Sequence, residues 1–237
     1  MSGNSITAEL APTGVLRAAI NLGNPVLAQG DPEHPAGVTV DLARELADRL
    51  GVRVSFVCVD AARKSFEALT TGAADIGFLA IEFAREAEVA FTAPYVVIEA
   101  VYLVREDSPI ATAAEVDRPG VRIGVNSGSA YDLYLTRTLT AAEIVRGDDG
   151  IALFLESALD VAAGIRQPLA RVVARHGGLR ILEPRFMEIR QAVAVPRTRS
   201  DAATAFLRDA VEELKAGGFV AAALERSGQD ATVAPPG

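Results

Sequence analysis

Two stretches carry residue types suited to holding an anion. In IEFAREAEVAFTAPY, residues 81–95, Arg85 follows Glu82 by three positions and precedes Glu86 and Glu88. A guanidinium offers a planar fork that donates two parallel hydrogen bonds to a carboxylate. On residue types alone, Arg85 is equally a surface arginine paired with Glu86 or Glu88. The second stretch is Asn126-Ser127-Gly128-Ser129-Ala130, between a strand-like RIGV and a helix-like segment. The first N–H groups of that helix lack intrahelical acceptors, and its dipole favours negative charge. Ordinary capping by Ser129 explains the same residues, and both roles are compatible.

Other chemistry is sparse. One cysteine, Cys58, excludes an internal disulfide, and with two histidines, His34 and His176, a Cys/His zinc cage is out of reach. Cys58 reads as an inert core thiol. No nucleophile elbow, phosphate loop or dinucleotide fingerprint is present. No catalytic residue, metal or cofactor is expected.

The elements that must position these residues alternate strand and helix. VLRAAINL (15–22) reads as a strand, followed by a Gly/Pro/Asp-rich loop over 24–37. Leu42, Leu46 and Leu50 fall on one helix face that Gly51 stops. VRVSFVCV (52–59) and DIGFLA (75–80) read as strands around a helix at 61–71, for which Asp60 is the expected cap. FTAPYVVIEAVYLV (91–104) is long and extended. RIGV, EIVR, DVAAG, LRIL and QAVAV read as further short strands, with helices over 129–138, 149–156 and 167–176. Helices near 200–216 and from Phe219 close the chain, and the final PPG reads as a frayed end. Such alternation implies an α/β protein with parallel sheets.

Composition limits the partners. The 237 residues are 50% hydrophobic and 23% charged, which excludes a disordered chain. The net charge of −8 leaves no basic stripe for nucleic acid or an anionic membrane. No apolar run is long enough to span a bilayer. Residues 1–14 lack the basic and apolar regions of an export signal. A periplasmic location is expected if such a signal has been removed, and a cytoplasmic one if Met1 is the natural start.

Four segments in order resemble the extracellular solute-binding proteins of family 3, the polar amino-acid binders of ABC importers. They are GVTVDLARELADRLG (37–51), FEALTTGAADIGFLAIEFAREAEVAFTAPY (66–95), GVRIGVNSGSAYD (120–132) and FLRDAVEELKAGGFVAAALER (206–226). The resemblance implies two Rossmann-like lobes joined by two crossover strands, the type II periplasmic binding protein fold. Lobe 1 would be 1–99 plus 196–237, lobe 2 would be 104–190, and the hinge strands would lie near 99–104 and 190–196. It also implies a substrate-binding protein of an ABC transporter that closes over a small carboxylate-bearing solute. A permease would then be the partner of a monomer, with no nucleic acid and no membrane insertion.

By the same resemblance, Arg85 clamps the ligand carboxylate with Ser127, Gly128, Ser129 and Ala130. The chain departs from the family in three places. The ammonium-binding aspartate is replaced by Ile165, with Arg166 beside it, so an anionic or weakly cationic acid is expected to be preferred over a basic amino acid. Glu82 replaces a hydroxyl and either pairs with Arg85 or receives an amino group. Ala62 replaces a bulky wall residue, which leaves Phe78, Leu27 and Tyr131 as the expected floor. Asn24 and Ala80 complete the expected ligand contacts. Two alternatives stand beside the transporter reading: a cyclohexadienyl-dehydratase-like enzyme using Glu82, and a cytoplasmic orphan sensor.

Overall fold

The computed structural model describes residues 3–237, with side chains from Ile6 onward. In chain order the elements are α1 (Gly3–Leu10), β1 (Val15–Asn21), β2 (Gln29–Gly30), β3 (Pro35–Ala36), α2 (Val38–Leu50), β4 (Arg53–Val59), α3 (Ala62–Thr70) and β5 (Ile76–Ala80). There follow β6 (Val89–Arg105), β7 (Arg122–Asn126), α4 (Ala130–Thr138), β8 (Glu143–Gly147), α5 (Gly150–Glu156) and β9 (Val161–Ile165). The last are α6 (Arg166–His176), β10 (Leu179–Pro196), α7 (Asp201–Ala216), α8 (Phe219–Arg226) and β11 (Thr232–Val233).

The chain forms two compact units. One comprises the chain up to Val97 together with Arg190–Gly237, the other Ile98–Ile189. In the first unit β1 pairs in parallel with β4, Val15 opposite Arg53, and with β5, Ala18 opposite Ile76. β10 runs antiparallel to β5, with Val193 opposite Phe78. Ala19, Leu69, Leu79, Val89 and Ala194 make one buried cluster there. In the second unit β7 pairs in parallel with β8 and β9, and β9 runs antiparallel to β6. Val101, Leu103, Phe154, Ala162 and Leu169 form its core. Gly150 lets α5 lie against β7, since a Cβ there would come within 2.6 Å of the Val125 backbone.

Three local expectations change. Asp60 does not cap α3: the helix starts after Ala61 without a side-chain cap, and Asp60 instead pairs with Lys64 at 2.7 Å. LRIL and QAVAV are two ends of the single strand β10, because Glu183-Pro184-Arg185 continues extended instead of turning. Cys58 is only half-buried, since β4 is the edge strand of its sheet. Its thiol is pushed up by burial and by Asp31.

The C-terminus is docked. β11 pairs with β6, and the Ala234 N–H donates to the Tyr95 carbonyl at 3.0 Å. Lys215, on the buried face of α7, donates to Glu212 at 2.6 Å, to the Pro235 carbonyl at 2.9 Å and to the Pro94 carbonyl at 3.0 Å. One ammonium thus ties α7, β6 and the tail. We expect Lys215→Met to lower stability by about 2–4 kcal/mol, because it strands two carbonyls and a carboxylate. A urea midpoint equal to that of the parent chain would show that the tail docks without this lysine.

Asp117 organises the approach to β8. Its carboxylate accepts the N–H groups of Thr140, Ala141 and Ala142 and the Thr140 hydroxyl. Those bonds hold it down to about 2 from an ordinary 3.8. The folded value lies below the unfolded one, so this contribution is full above the unfolded value and is lost as pH falls through the folded one. Thermal melts between about pH 5 and pH 2 should therefore show a shallower acid decline for Asp117→Asn than for the parent. Identical slopes would remove Asp117 from the acid response.

Candidate functional site

β1, β4 and β5 are mutually aligned, so the segments leaving their carboxyl ends share one edge of the first unit. Asn24 and Leu27 follow β1, Asp60–Ala62 follow β4, and Ala80–Arg85 follow β5. Beyond Ala80 the chain makes a single 3-10 turn, Phe83–Arg85, before β6 begins. Burial in this turn is inverted. Phe83 is 81% exposed, while Glu82 and Arg85 are 2% and 3% exposed. Charged side chains are seldom buried so fully without a partner or a task.

The Arg85 Nη1 donates to the Ala80 carbonyl at 3.1 Å, and the Arg85 N–H donates to the Glu82 carbonyl at 2.9 Å. Burial lowers the guanidinium to about 10, opposed by the Glu82 carboxylate. Arg85 therefore stays charged at neutral pH, held against its own strand end. The reading of Arg85 as a surface arginine paired with Glu86 or Glu88 does not survive this burial.

The other expected contacts on this unit are more structural. Asn24 is 7% exposed; its Oδ1 accepts the Val26 N–H at 3.3 Å, and its carbonyl accepts the N–H groups of Leu27 and Ala28. It builds the turn after β1. Phe78 packs edge-to-face on Tyr95, centroids 5.9 Å apart, and Leu27 is buried.

In the second unit β7 and β9 are parallel neighbours, so Asn126–Ala130 and Ile165–Arg166 share an edge. Gly128 takes φ +70° to turn the chain into α4. The Ser129 hydroxyl caps α4 by accepting the Asp132 N–H at 3.1 Å. The Asp132 carboxylate reaches back to the Gly128 N–H at 2.8 Å, a reciprocal capping arrangement. The Ser127 N–H donates to the Gly147 carbonyl and the Ser129 N–H to that of Asn126. The N–H groups of Ser127, Gly128 and Ser129 are thus already engaged, and the Ala130 N–H at the helix start and the Ser127 hydroxyl are left as donors. Tyr131 is buried, its hydroxyl pushed up to about 12 by that burial.

Asp132 was invisible as a site residue, although the Ser129-x-x-Asp132 spacing signals a capping box. It is 3% exposed, and Arg146 Nε donates to it at 2.9 Å.

Arg166 is not a loose cation. Its Nε donates to Glu99 Oε2 at 2.5 Å, its Nη1 to Glu183 Oε1 at 2.5 Å and its Nη2 to Glu183 Oε2 at 3.0 Å. Arg185 bonds Glu99 at 3.2 Å and also pairs with Glu188. The cluster holds three carboxylates and two guanidiniums, a net charge of −1. The expectation that Arg166 repels a ligand cation is corrected accordingly: its charge is already matched. The pairing spans 67 residues from β6 to α6, which no local pattern reveals.

This architecture of two α/β units is that of a type II periplasmic binding protein. The chain belongs to the bacterial extracellular solute-binding proteins, family 3, whose model matches residues 16–229. No curated protein matches it in sequence. Among solved structures it is similar to a mutant of ArgBP from T. maritima, with 24% identity, TM-score 0.76, and 93% of this chain and 98% of that one covered. It is also similar to an amino acid ABC transporter substrate-binding protein from Streptococcus pneumoniae bound to L-arginine, at 18% identity and TM-score 0.76, covering 97% and 99% of the two chains. A third is an ancestral amino-acid-binding protein, a precursor of cyclohexadienyl dehydratase, at 22% identity and TM-score 0.73, covering 93% and 98%.

Proposed function

We propose that this chain binds a small carboxylate-bearing solute, an amino acid or related organic acid, and delivers it to an ABC transporter permease outside the cytoplasm. The observation that carries this reading is the inverted burial at Glu82–Arg85, which keeps a charged fork at the carboxyl edge of β5. Ligands in open α/β sheets bind at that edge. Arg85, on the first unit, takes the carboxylate. The chain passes between its units at Val97–Ile98 and Ile189–Arg190, and these passages serve as the hinge. The matched charge around Arg166 removes its repulsion of a ligand ammonium, while Ile165 still leaves that ammonium without the family's aspartate, so amino acids and organic acids are both candidates.

The test is a thermal-shift panel of L-arginine, L-lysine, L-glutamine, succinate and 2-oxoglutarate. A ligand at about 100 times its dissociation constant stabilises the folded state by roughly 2.7 kcal/mol. A panel with no shift counts against the reading. Glu82 beside Arg85 keeps a dehydratase reading open, and turnover of prephenate or arogenate would decide for it.

A further inference from the structure

Away from the carboxyl edge, the first unit has a depression between the start of β6 and the junction of β10 with α7. Arg197, Arg199 and Arg208 line it, with Glu86 and Asp201 on the same wall. Three guanidiniums thus face two carboxylates in a protein whose net charge is −8. Two further carboxylates bear on Arg199: Asp75 lies behind it at 3.4 Å but is already taken by the Arg17 fork at 2.9 and 2.7 Å, and Glu9 is held below the ordinary carboxylate range by Ser200 and by Arg199.

The arginines are under-used. Arg199 Nε is buried and has no hydrogen-bond partner. Arg197, an exposed residue, commits its Nε to the Glu86 carbonyl at 2.6 Å, which fixes its stem. Arg208 is exposed, one helical turn beyond Thr204 on the same face of α7.

We propose that this depression is an anion site, separate from the solute site, that takes a phosphate group. Three forks from two elements offer more donors than the two oxygens of a carboxylate can accept, whereas a phosphate presents three or more. The group is supplied either as free inorganic phosphate or as a phospholipid headgroup.

The experiment titrates inorganic phosphate into the full chain by calorimetry, beside Arg197→Gln/Arg208→Gln, Arg208→Gln and Arg85→Ala. We expect one phosphate per chain at millimolar concentration or below, about tenfold or more weaker binding in the double variant, an intermediate loss in Arg208→Gln, and no change in Arg85→Ala. In parallel, vesicles of phosphatidylcholine with and without phosphatidic acid are sedimented with the protein. Binding to phosphatidic acid vesicles that the double variant loses assigns the headgroup as the source; phosphate binding without vesicle binding assigns the free anion. The proposal is overturned if neither probe binds, if binding survives in the double variant, or if only Arg85→Ala abolishes it. The last outcome would place phosphate in the solute site and leave the proposed function standing.

Discussion

Arg85→Ala should weaken the carboxylate solute by about 2–5 kcal/mol, roughly 30-fold to several thousand-fold in dissociation constant. The size follows from burial. Arg85 is 3% exposed and anchored on the Ala80 carbonyl, so its fork is pre-positioned and poorly solvated. A carboxylate meeting it exchanges water for a charge-assisted pair in a low-dielectric setting. Removal would also leave Glu82 buried without its neighbouring cation. Arg85→Lys separates the two contributions, because it keeps the charge but loses the fork. Calorimetry should rank the chains parent, lysine, alanine. Equal affinity in all three would make Arg85 a structural residue only.

The largest expected stability effect lies at the opposite end of the same strand. Asp75 is fully buried at the start of β5. It accepts the Arg17 N–H at 3.0 Å, Nε at 2.9 Å and Nη2 at 2.7 Å, while its own N–H donates to the Arg17 carbonyl at 2.8 Å. Backbone and side chain together lock β1 to β5. Asp75→Ala leaves the Arg17 N–H, Nε and Nη2 without their acceptor, although Nη1 keeps the Gly72 carbonyl at 2.8 Å, and it also takes a partner from Arg199; we expect a loss of about 3–5 kcal/mol. Arg17 is 28% exposed in its side chain, which favours the lower end. Asp75→Asn should cost less, since it still accepts. A denaturant midpoint of Asp75→Ala within error of the parent would show that the strand pair holds without the ion pair.

Of these two residues only Arg85 is singled out by the sequence; Asp75 reads only as the start of the strand 75–80, because its partner Arg17 lies 58 residues away. α2 with Leu42, Leu46 and Leu50 follows from a single helical period. Local patterns of this kind survive folding because each needs only its neighbours. The features that escaped depend on distant partners. Arg166 reads as a lone cation until β6 and β10 bring Glu99 and Glu183 to it. The PPG end reads as frayed until Lys215 and the edge of β6 give it acceptors and donors. Cys58 reads as core because alternation in β4 does not say that the strand is an edge.

In the proposed function a buried arginine at the carboxyl edge of β5 recognises a ligand carboxylate. The measurement that tests it most directly is a calorimetric titration of the full chain with L-arginine, L-lysine and L-glutamine, each beside its carboxamide, which keeps the amino group and side chain but lacks the charged carboxylate. We expect at least one acid to bind one to one, its amide to bind at least about tenfold more weakly, and Arg85→Ala to erase the difference. An acid and its amide bound equally well, or discrimination that persists in Arg85→Ala, would contradict it.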